Sequence, residues 1–261
     1  MILTLDVGNS QLFAGLFAQG ELILRFRKTS VGRPSSDELG LFLRHAIREN
    51  GHDPADITDI VMSSVVPEIN HSLSSACIKY FDQRPLILQA GLKTGLKIKY
   101  RNPLEVGADR IANSIGATHL YPDRNLLIVD FGTATTLCVV SAQREYLGGV
   151  IASGLRMAME TLEASTAKLP TVEIKVPEHA IGQSTIAGIQ SGIYYSALGL
   201  VREIIIEISD KHFPRQELSV VGTGGFSSLF AHANLFDAIE SDLVLKGLYQ
   251  LHCLNAKDSL K

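Results

Sequence analysis

Short apolar runs interrupted by single polar residues open the chain. ILTLDV, QLFAGLFA and ELILRFRKT, between positions 2 and 29, read as three strands with a turn at Gln19-Gly20. Three consecutive strands predict an antiparallel meander. SSDELGLFLRHAIREN then places apolar residues at 39, 42, 43, 46 and 47, an amphipathic helical spacing, behind a serine cap at Ser35 or Ser36. Asp59 to Val66 reads as a buried-type strand stopped by Pro67, 68–81 as a helix, and PLILQ at 85–89 as a strand. The second half repeats this grammar with LLIVD at 126–130, TTLCVVS, REYLGGVI, a helical stretch over 184–209 and the strand LSVVGTGG at 218–225. The shared order predicts an α/β fold of two related domains, each with a mixed sheet, facing a central cleft. The helix at 107–120 and the turn YPDRN at 121–125 mark the boundary, giving domains 1–120 and 121–261.

Two strand ends carry the same chemistry. DVGNS at 6–10 and DFGTATT at 130–136 each place a carboxylate at the end of an apolar run, then a glycine, then small hydroxyl or amide side chains. Gly8 and Gly132 are expected to use backbone angles closed to other residues, bringing amide N–H groups toward a phosphate. Asn9 and Ser10, or Thr133, Thr135 and Thr136, add hydrogen bonds, and Asp6 and Asp130 suit magnesium, which prefers oxygen ligands and keeps several waters. One such turn alone would read as a tight hairpin with a solvated aspartate, but two copies, each ending a buried-type strand, favour a nucleotide site. Neither is a P-loop or a G-x-G-x-x-G turn. A weaker signal is VVGTGGF, where Gly222, Gly224 and Gly225 follow a strand and precede a helical segment; they could let the backbone lie flat against adenosine, or only make the turn.

Residues 100–120 combine a proline turn, Gly107, and then Asp109 and Arg110 at a helix start. Asp109 reads either as a helix cap or as a base that orients an acceptor hydroxyl, with Arg110 gripping a substrate carboxylate. On either reading the helix dipole is expected to lower the Asp109 pKa. Phosphoryl transfer tolerates a weak base, because its catalysis rests on positioning and charge stabilisation. Alternation in KTGLKIKYR puts Lys97, Lys99 and Arg101 on a solvated face and turns Tyr100 inward, toward Asp109. Gly182 to Ser196 is rich in small residues and suits close helix packing or a subunit interface; Thr185 and Gln190 are substrate contacts or merely a cap and a polar face.

Composition narrows the classes. With 46% hydrophobic and 20% charged residues, the 261-residue chain reads as an ordinary soluble globular protein with a sizeable core. A net charge of −3 leaves no electrostatic footprint for nucleic acid or an anionic membrane, and no apolar run is long enough to span a bilayer. The N-terminus lacks a basic region and is not expected to be a signal peptide. Cys77, Cys138 and Cys253 form no C-x-x-C pair and read as reduced thiols in a cytosolic protein. The eight histidines lack zinc-site spacing, so a bound metal is expected to have oxygen ligands.

Taken in order, DVGNS at 6, SSVVP at 63, NPLEVGADR at 102, DFGTATT at 130, YLGGVIASG at 146, TAKLP at 166, IGQST and QSG within 181–192, and GTGG at 222 resemble the type III pantothenate kinases, relatives of actin, sugar kinases and heat-shock chaperones. The resemblance covers nearly the whole chain. It implies two ribonuclease-H-like (actin-like ATPase) domains and ATP-dependent phosphorylation of the primary hydroxyl of pantothenate, the first step toward coenzyme A. By motif position it implies ATP binding by Asp6, Val7, Gly8, Asn9, Ser10, Gln11, Leu12, Phe13 and Thr133, with Asp6 near magnesium directly or through water. It further implies potassium or ammonium at Asp130, proton acceptance by Asp109, pantothenate contacts from Tyr100, Gly107, Ala108, Asp109, Arg110 and Thr185, and a cytoplasmic homodimer. Two departures are Ser10, where the family often has threonine, and METLEAS at 159–165 in place of a more apolar helix. Competing readings are a non-catalytic regulator using the fold as a transcription accessory, and an ATPase or exopolyphosphatase with another acceptor.

Overall fold

The computed structural model describes residues 1–30, 32, 34–166 and 169–256. The chain runs β1 (Ile2–Val7), β2 (Gln11–Ala18), β3 (Glu21–Thr29), α1 (Ser36–Glu49), β4 (Asp59–Ser64), α2 (Pro67–Phe81), β5 (Leu86–Ile87), β6 (Lys97–Ile98) and α3 (Ala108–Leu120). It continues through β7 (Asn125–Phe131), β8 (Ala134–Val140), β9 (Glu145–Ser153), α4 (Leu155–Ala164), α5 (Thr185–His212), β10 (Leu218–Thr223), β11 (Ala238–Ile239) and α6 (Leu243–Ala256). The chain divides into two compact units, Met1–Leu120 with Leu243–Lys261, and Tyr121–Asp242.

In the first unit the strand order is β3-β2-β1-β4-β5, antiparallel across the meander and parallel from β1 to β4 to β5. Strand alternation sends Leu3, Leu5, Val7, Leu12, Ala14, Leu16, Ile60 and Met62 into a core with Leu39, Leu43 and Ile47 of α1 and Ile69, Leu73 and Phe81 of α2. Burying each large aliphatic side chain contributes about 1.5–3 kcal/mol, so this face holds the helices. The α1 start is a capping box: Glu38 N–H donates to Ser35 Oγ at 3.2 Å, and Ser35 N–H to Glu38 Oε2 at 2.7 Å. On the opposite face α6 packs on β1, β4 and α3. The helix contact with α3 is close because a Cβ at Gly116 would lie 2.6 Å from the Leu243 carbonyl oxygen, and one at Gly247 would collide with that of Ala112.

The second unit repeats the topology, with β9-β8-β7-β10-β11 standing for β3-β2-β1-β4-β5. The repetition extends to a register irregularity. The meander pairing shifts between Leu16 and Phe17 in the first unit and between Val139 and Val140 in the second. Counted from the residue opposite the strand-end aspartate, Phe13 for Asp6 and Thr136 for Asp130, both shifts fall at the same step. The core joins Leu127, Val129 and Phe131 of β7 to Ile189, Ile193, Leu198 and Val201 of α5, with Phe131 and Tyr194 each stacked on Phe230 at 4.6 and 5.0 Å.

The α/β expectation with two mixed sheets is therefore met. Three details differ from the sequence reading. The segment from Leu243 clusters with the first unit rather than with 121–242, because α6 buries its apolar side on the first sheet. The segment after Gly225 forms only a 3-10 turn, Ser227–Phe230, instead of a longer helix. α6 forms where the sequence pattern predicts no element.

Candidate active site

The first unit gathers its candidates at the carboxyl ends of parallel strands, where open α/β sheets bind ligands. Asp6 is the penultimate residue of β1 and pairs in register with Ser63 of β4, whose Oγ–H donates to Asp6 Oδ1 at 2.6 Å. The following turn closes with Gly8 N–H donating to the Gln11 carbonyl oxygen at 3.0 Å, leaving Asn9, Ser10 and Gln11 exposed. Val7 and Leu12 are 1% and 4% exposed on the core face, so only their backbone is open to a ligand. Phe13 is also buried, on the Asp6 face.

Asp109 lies in the first turn of α3, the helix that packs against β4. Its Oδ1 accepts the Arg110 N–H at 2.8 Å, while the Gly107 carbonyl oxygen accepts the Ile111 N–H at 3.2 Å. The carboxylate folds back over the glycine: a Cβ at Gly107 would sit 2.5 Å from Asp109 Oδ1 and 3.6 Å from Val65 Cγ1. Val65 follows β4 and is anchored by its N–H on the Val7 carbonyl oxygen at 3.0 Å, so Asp6 and Asp109 share the same end of this unit. Burial lifts the Asp109 carboxyl above its ordinary pKa, against the opposing pull of the Arg110 N–H and guanidinium. This corrects the dipole-lowered expectation: desolvation of the charged form outweighs the helix N-terminus. The result is a better base. Arg110 itself is 6% exposed. Ala108 and Tyr100 are half-buried, and Lys97, Lys99 and Arg101 are exposed, as the alternation predicts.

The second unit places Asp130 in the matching position, penultimate in β7 and in register with Thr223 of β10. Here the parallel partner does something else, since Thr223 Oγ1–H donates to the Glu240 carbonyl oxygen at 2.7 Å. Gly132 N–H closes the turn onto the Ala134 carbonyl oxygen at 3.2 Å, and Thr133 is exposed. Gly8 and Gly132 do not adopt the positive φ expected of them; among these turn glycines only Gly224 does, at +86°. A Cβ on Gly224 would strike Asp130 Oδ1 and lie 2.6 Å from the Phe131 backbone, so bare backbone is required there. Gly222 lies under the Phe236 ring, and Gly225 faces open space. Thr185 is exposed at the first position of α5, behind the Ser184 cap. Gln190 donates to the Glu173 carbonyl oxygen at 2.9 Å, which explains it structurally. Of the TAKLP motif, Ala167 and Lys168 lie outside the described residues.

The sequence reading missed two participants. Ser63 belongs to the quoted SSVVP, but its bond to Asp6 depends on a strand pairing across 57 residues. Gly154, the backbone cap of α4, lies so close to the Thr133 carbonyl oxygen that a side chain would collide with it. For a metal, the donors at these strand ends are carboxylate, hydroxyl and carbonyl oxygens, which suit magnesium and monovalent cations. Among the described residues no three His, Cys, Asp or Glu side chains gather to hold an ion.

A family model described as type III pantothenate kinase matches residues 2–207. The type III pantothenate kinase of Legionella pneumophila (strain Paris) is 52% identical over 248 residues, covering 95% of this chain and 96% of that protein. That of Elusimicrobium minutum is 47% identical over the same shares. Among solved structures, a Campylobacter jejuni protein assigned to the Baf family of transcriptional activators matches with a TM-score of 0.62 at 18% identity, over 98% of this chain and 99% of that one. A Sinorhizobium meliloti protein assigned as a 2-dehydro-3-deoxygalactonokinase matches with a TM-score of 0.61 at 12% identity, over 96% and 95%. At such identities the structural likeness speaks to the fold alone. The sequence match over most of the molecule decides the family: this chain belongs to the type III pantothenate kinases.

Proposed function

We propose that the protein transfers the γ-phosphoryl group of ATP to the primary hydroxyl of pantothenate. The observation that carries this reading is Asp109, a half-buried carboxylate of raised basicity fixed between Gly107 and Arg110. The hydroxyl oxygen forms a bond to the γ-phosphorus, the bond from that phosphorus to the bridging oxygen breaks, ADP leaves, and the hydroxyl proton passes to Asp109. Tyr100, Gly107 to Arg110 and Thr185 contact pantothenate; the Asp6 to Phe13 segment, Thr133 and the glycines at 222, 224 and 225 hold ATP. Magnesium bound with the nucleotide neutralises charge on the transferring group. Asp6, oriented by Ser63, would hold it directly or through water. Asp130, enclosed by Gly224 and the Gly132 turn, would hold potassium or ammonium. The regulatory alternative is not favoured, since the relatives at 45–52% identity are named as kinases and all four residues Asp6, Asp109, Arg110 and Asp130 are present.

We also assign a homodimer. Thr185, Gly188, Gly192, Tyr195, Gly199, Arg202 and Ile206 follow the alternating three-and-four spacing of a helix-packing seam along α5, and all are exposed. A Cβ at Gly188, Gly192 or Gly199 would meet nothing within 4 Å, so the stripe is smooth enough for a second copy of the helix. No described helix is long and apolar enough to cross a membrane, and we place the reaction in the cytoplasm.

The test is incubation with ATP, magnesium, potassium and pantothenate, followed by mass spectrometry for 4′-phosphopantothenate. Product from the native protein and none from Asp109→Asn is expected. Absence of product from a folded, ATP-binding native protein would overturn the reading.

A further inference from the structure

Helix α4 begins with a cation where a helix favours an anion. Its first turn carries Arg156 and no acidic residue, and its cap, Gly154, offers no side chain to the free N–H groups. Those N–H groups and the aligned peptide dipoles make this end positive, so a guanidinium is disfavoured there unless an anion joins it. No described carboxylate does so. Arg156 makes neither a hydrogen bond nor an ion pair among the described residues, and its guanidinium carbon lies 6.0 Å from the centroid of the Phe226 ring.

The surroundings of this side chain border the Asp130 turn. A Cβ on Gly154 would collide with the Thr133 carbonyl oxygen and lie 2.7 Å from that of Gly132, so the helix starts directly on the turn. Phe226 follows Gly224 and Gly225, and its N–H donates to the Phe131 carbonyl oxygen at 3.4 Å. Arg156 is exposed and open to a ligand, while the Phe226 ring is half-buried. Thr135 of β8 stands opposite Ala152, two residues before the cap, and shares a sheet face with Leu137, which packs in one cluster with Leu155 of α4. It is 2% exposed, and its Oγ1 has no hydrogen-bond partner among the described residues. Buried hydroxyls are almost always bonded, so this one marks a place for a ligand or water from outside the chain.

We propose that Arg156 is a further nucleotide-binding residue that contacts the polyphosphate of ATP beside the Thr133 turn. The guanidinium fork matches phosphate oxygens in bidentate geometry. A phosphate at this place also reverses the local balance, because the helix end that opposes Arg156 alone attracts the same anion. The proposal rests on the nucleotide reading of that turn, and the experiment separates the two. Titration calorimetry with ATP, ADP and adenosine would compare native protein, Arg156→Gln and Arg156→Lys, with thermal melting and KM values for both substrates alongside.

Arg156→Gln is expected to weaken ATP and ADP about tenfold, the usual scale for a lost charge-assisted hydrogen bond, while leaving adenosine affinity and the pantothenate KM unchanged. Its melting temperature should be no lower than that of the native protein, since the change removes a cation from the positive end of a helix. Arg156→Lys should recover part of the affinity. An equal loss for adenosine, a loss confined to the pantothenate KM, or a loss that tracks a lowered melting temperature would each overturn the proposal, the last by showing a purely structural role. If native protein binds ATP and Arg156→Gln binds it equally well, the nucleotide site stands and Arg156 is removed from it. If folded native protein binds neither ATP nor ADP, the reading of the turn falls along with the proposal.

Discussion

Asp109 is pulled two ways at the residue scale. Its position near a helix N-terminus favours the anion, and its partial burial disfavours it; burial prevails, and the pKa rises. The folded state therefore holds the proton more tightly than the unfolded state. Stability from this group is greatest below the ordinary aspartate range, falls as pH rises through the raised folded value, and stays reduced at neutral pH. Asp109→Asn removes that penalty, so the variant should melt no lower than the native protein at pH 7 while turnover falls about 10²–10⁴-fold, the usual worth of a general base. A lowered melting temperature would show that the carboxylate stabilises the fold instead. The acid limb of kcat/KM should likewise lie above the ordinary aspartate range. Gly107→Ala probes the same carboxylate by steric means. Its Cβ would lie 2.5 Å from Asp109 Oδ1, so kcat should fall about 10-fold or more with little change in denaturant midpoint; unchanged kcat would mean that the carboxylate has room to move.

Two helices at the element scale depend on the absence of side chains. α3 and α6 approach where Gly116 meets Leu243 and Gly247 meets Ala112, and α3 positions Asp109. Forcing a methyl into such packing costs about 1–3 kcal/mol. Gly247→Ala should therefore lower the urea midpoint without changing the slope, and a midpoint equal to that of the native protein would show that the helices separate freely. Gly224→Ala is strained by both its φ of +86° and the Asp130 carboxylate. Its expected signature is a raised requirement for potassium or ammonium, measured as the activating concentration; an unchanged value would contradict the placement of the ion at Asp130.

For the whole molecule, the exposed α5 seam predicts a dimer with twice the 28.3 kDa chain mass. Gly192→Glu places a charge on the seam where a Cβ has open space in a single chain, so folding should survive while light scattering reports the monomer mass. A dimer that persists in this variant would remove α5 as the interface. The repeated topology also bears on function. Asp6 and Asp130 hold equivalent sheet positions, yet Ser63 serves the first carboxylate directly whereas Thr223 is tied to Glu240. The two strand ends are alike in sheet position and differ in their hydrogen-bonded neighbours.

The alternation of apolar residues marked β1, β2 and β3 at their observed limits, and a serine at Ser35 or Ser36 before an amphipathic run marked the start of α1, because these features depend on neighbours a few residues away. The repeated Asp-x-Gly turns and the helix start at Asp109 were visible for the same reason. Other features needed the folded chain. α6 joins the first unit because its apolar face matches a sheet built more than 150 residues earlier, which no local pattern encodes. The register that brings Ser63 to Asp6 is set by strand pairing at a distance. The sign of the Asp109 pKa shift was also out of reach of local reading: the helix dipole is a property of nearby backbone, but desolvation depends on everything packed around the carboxylate, and that is decided only by tertiary structure.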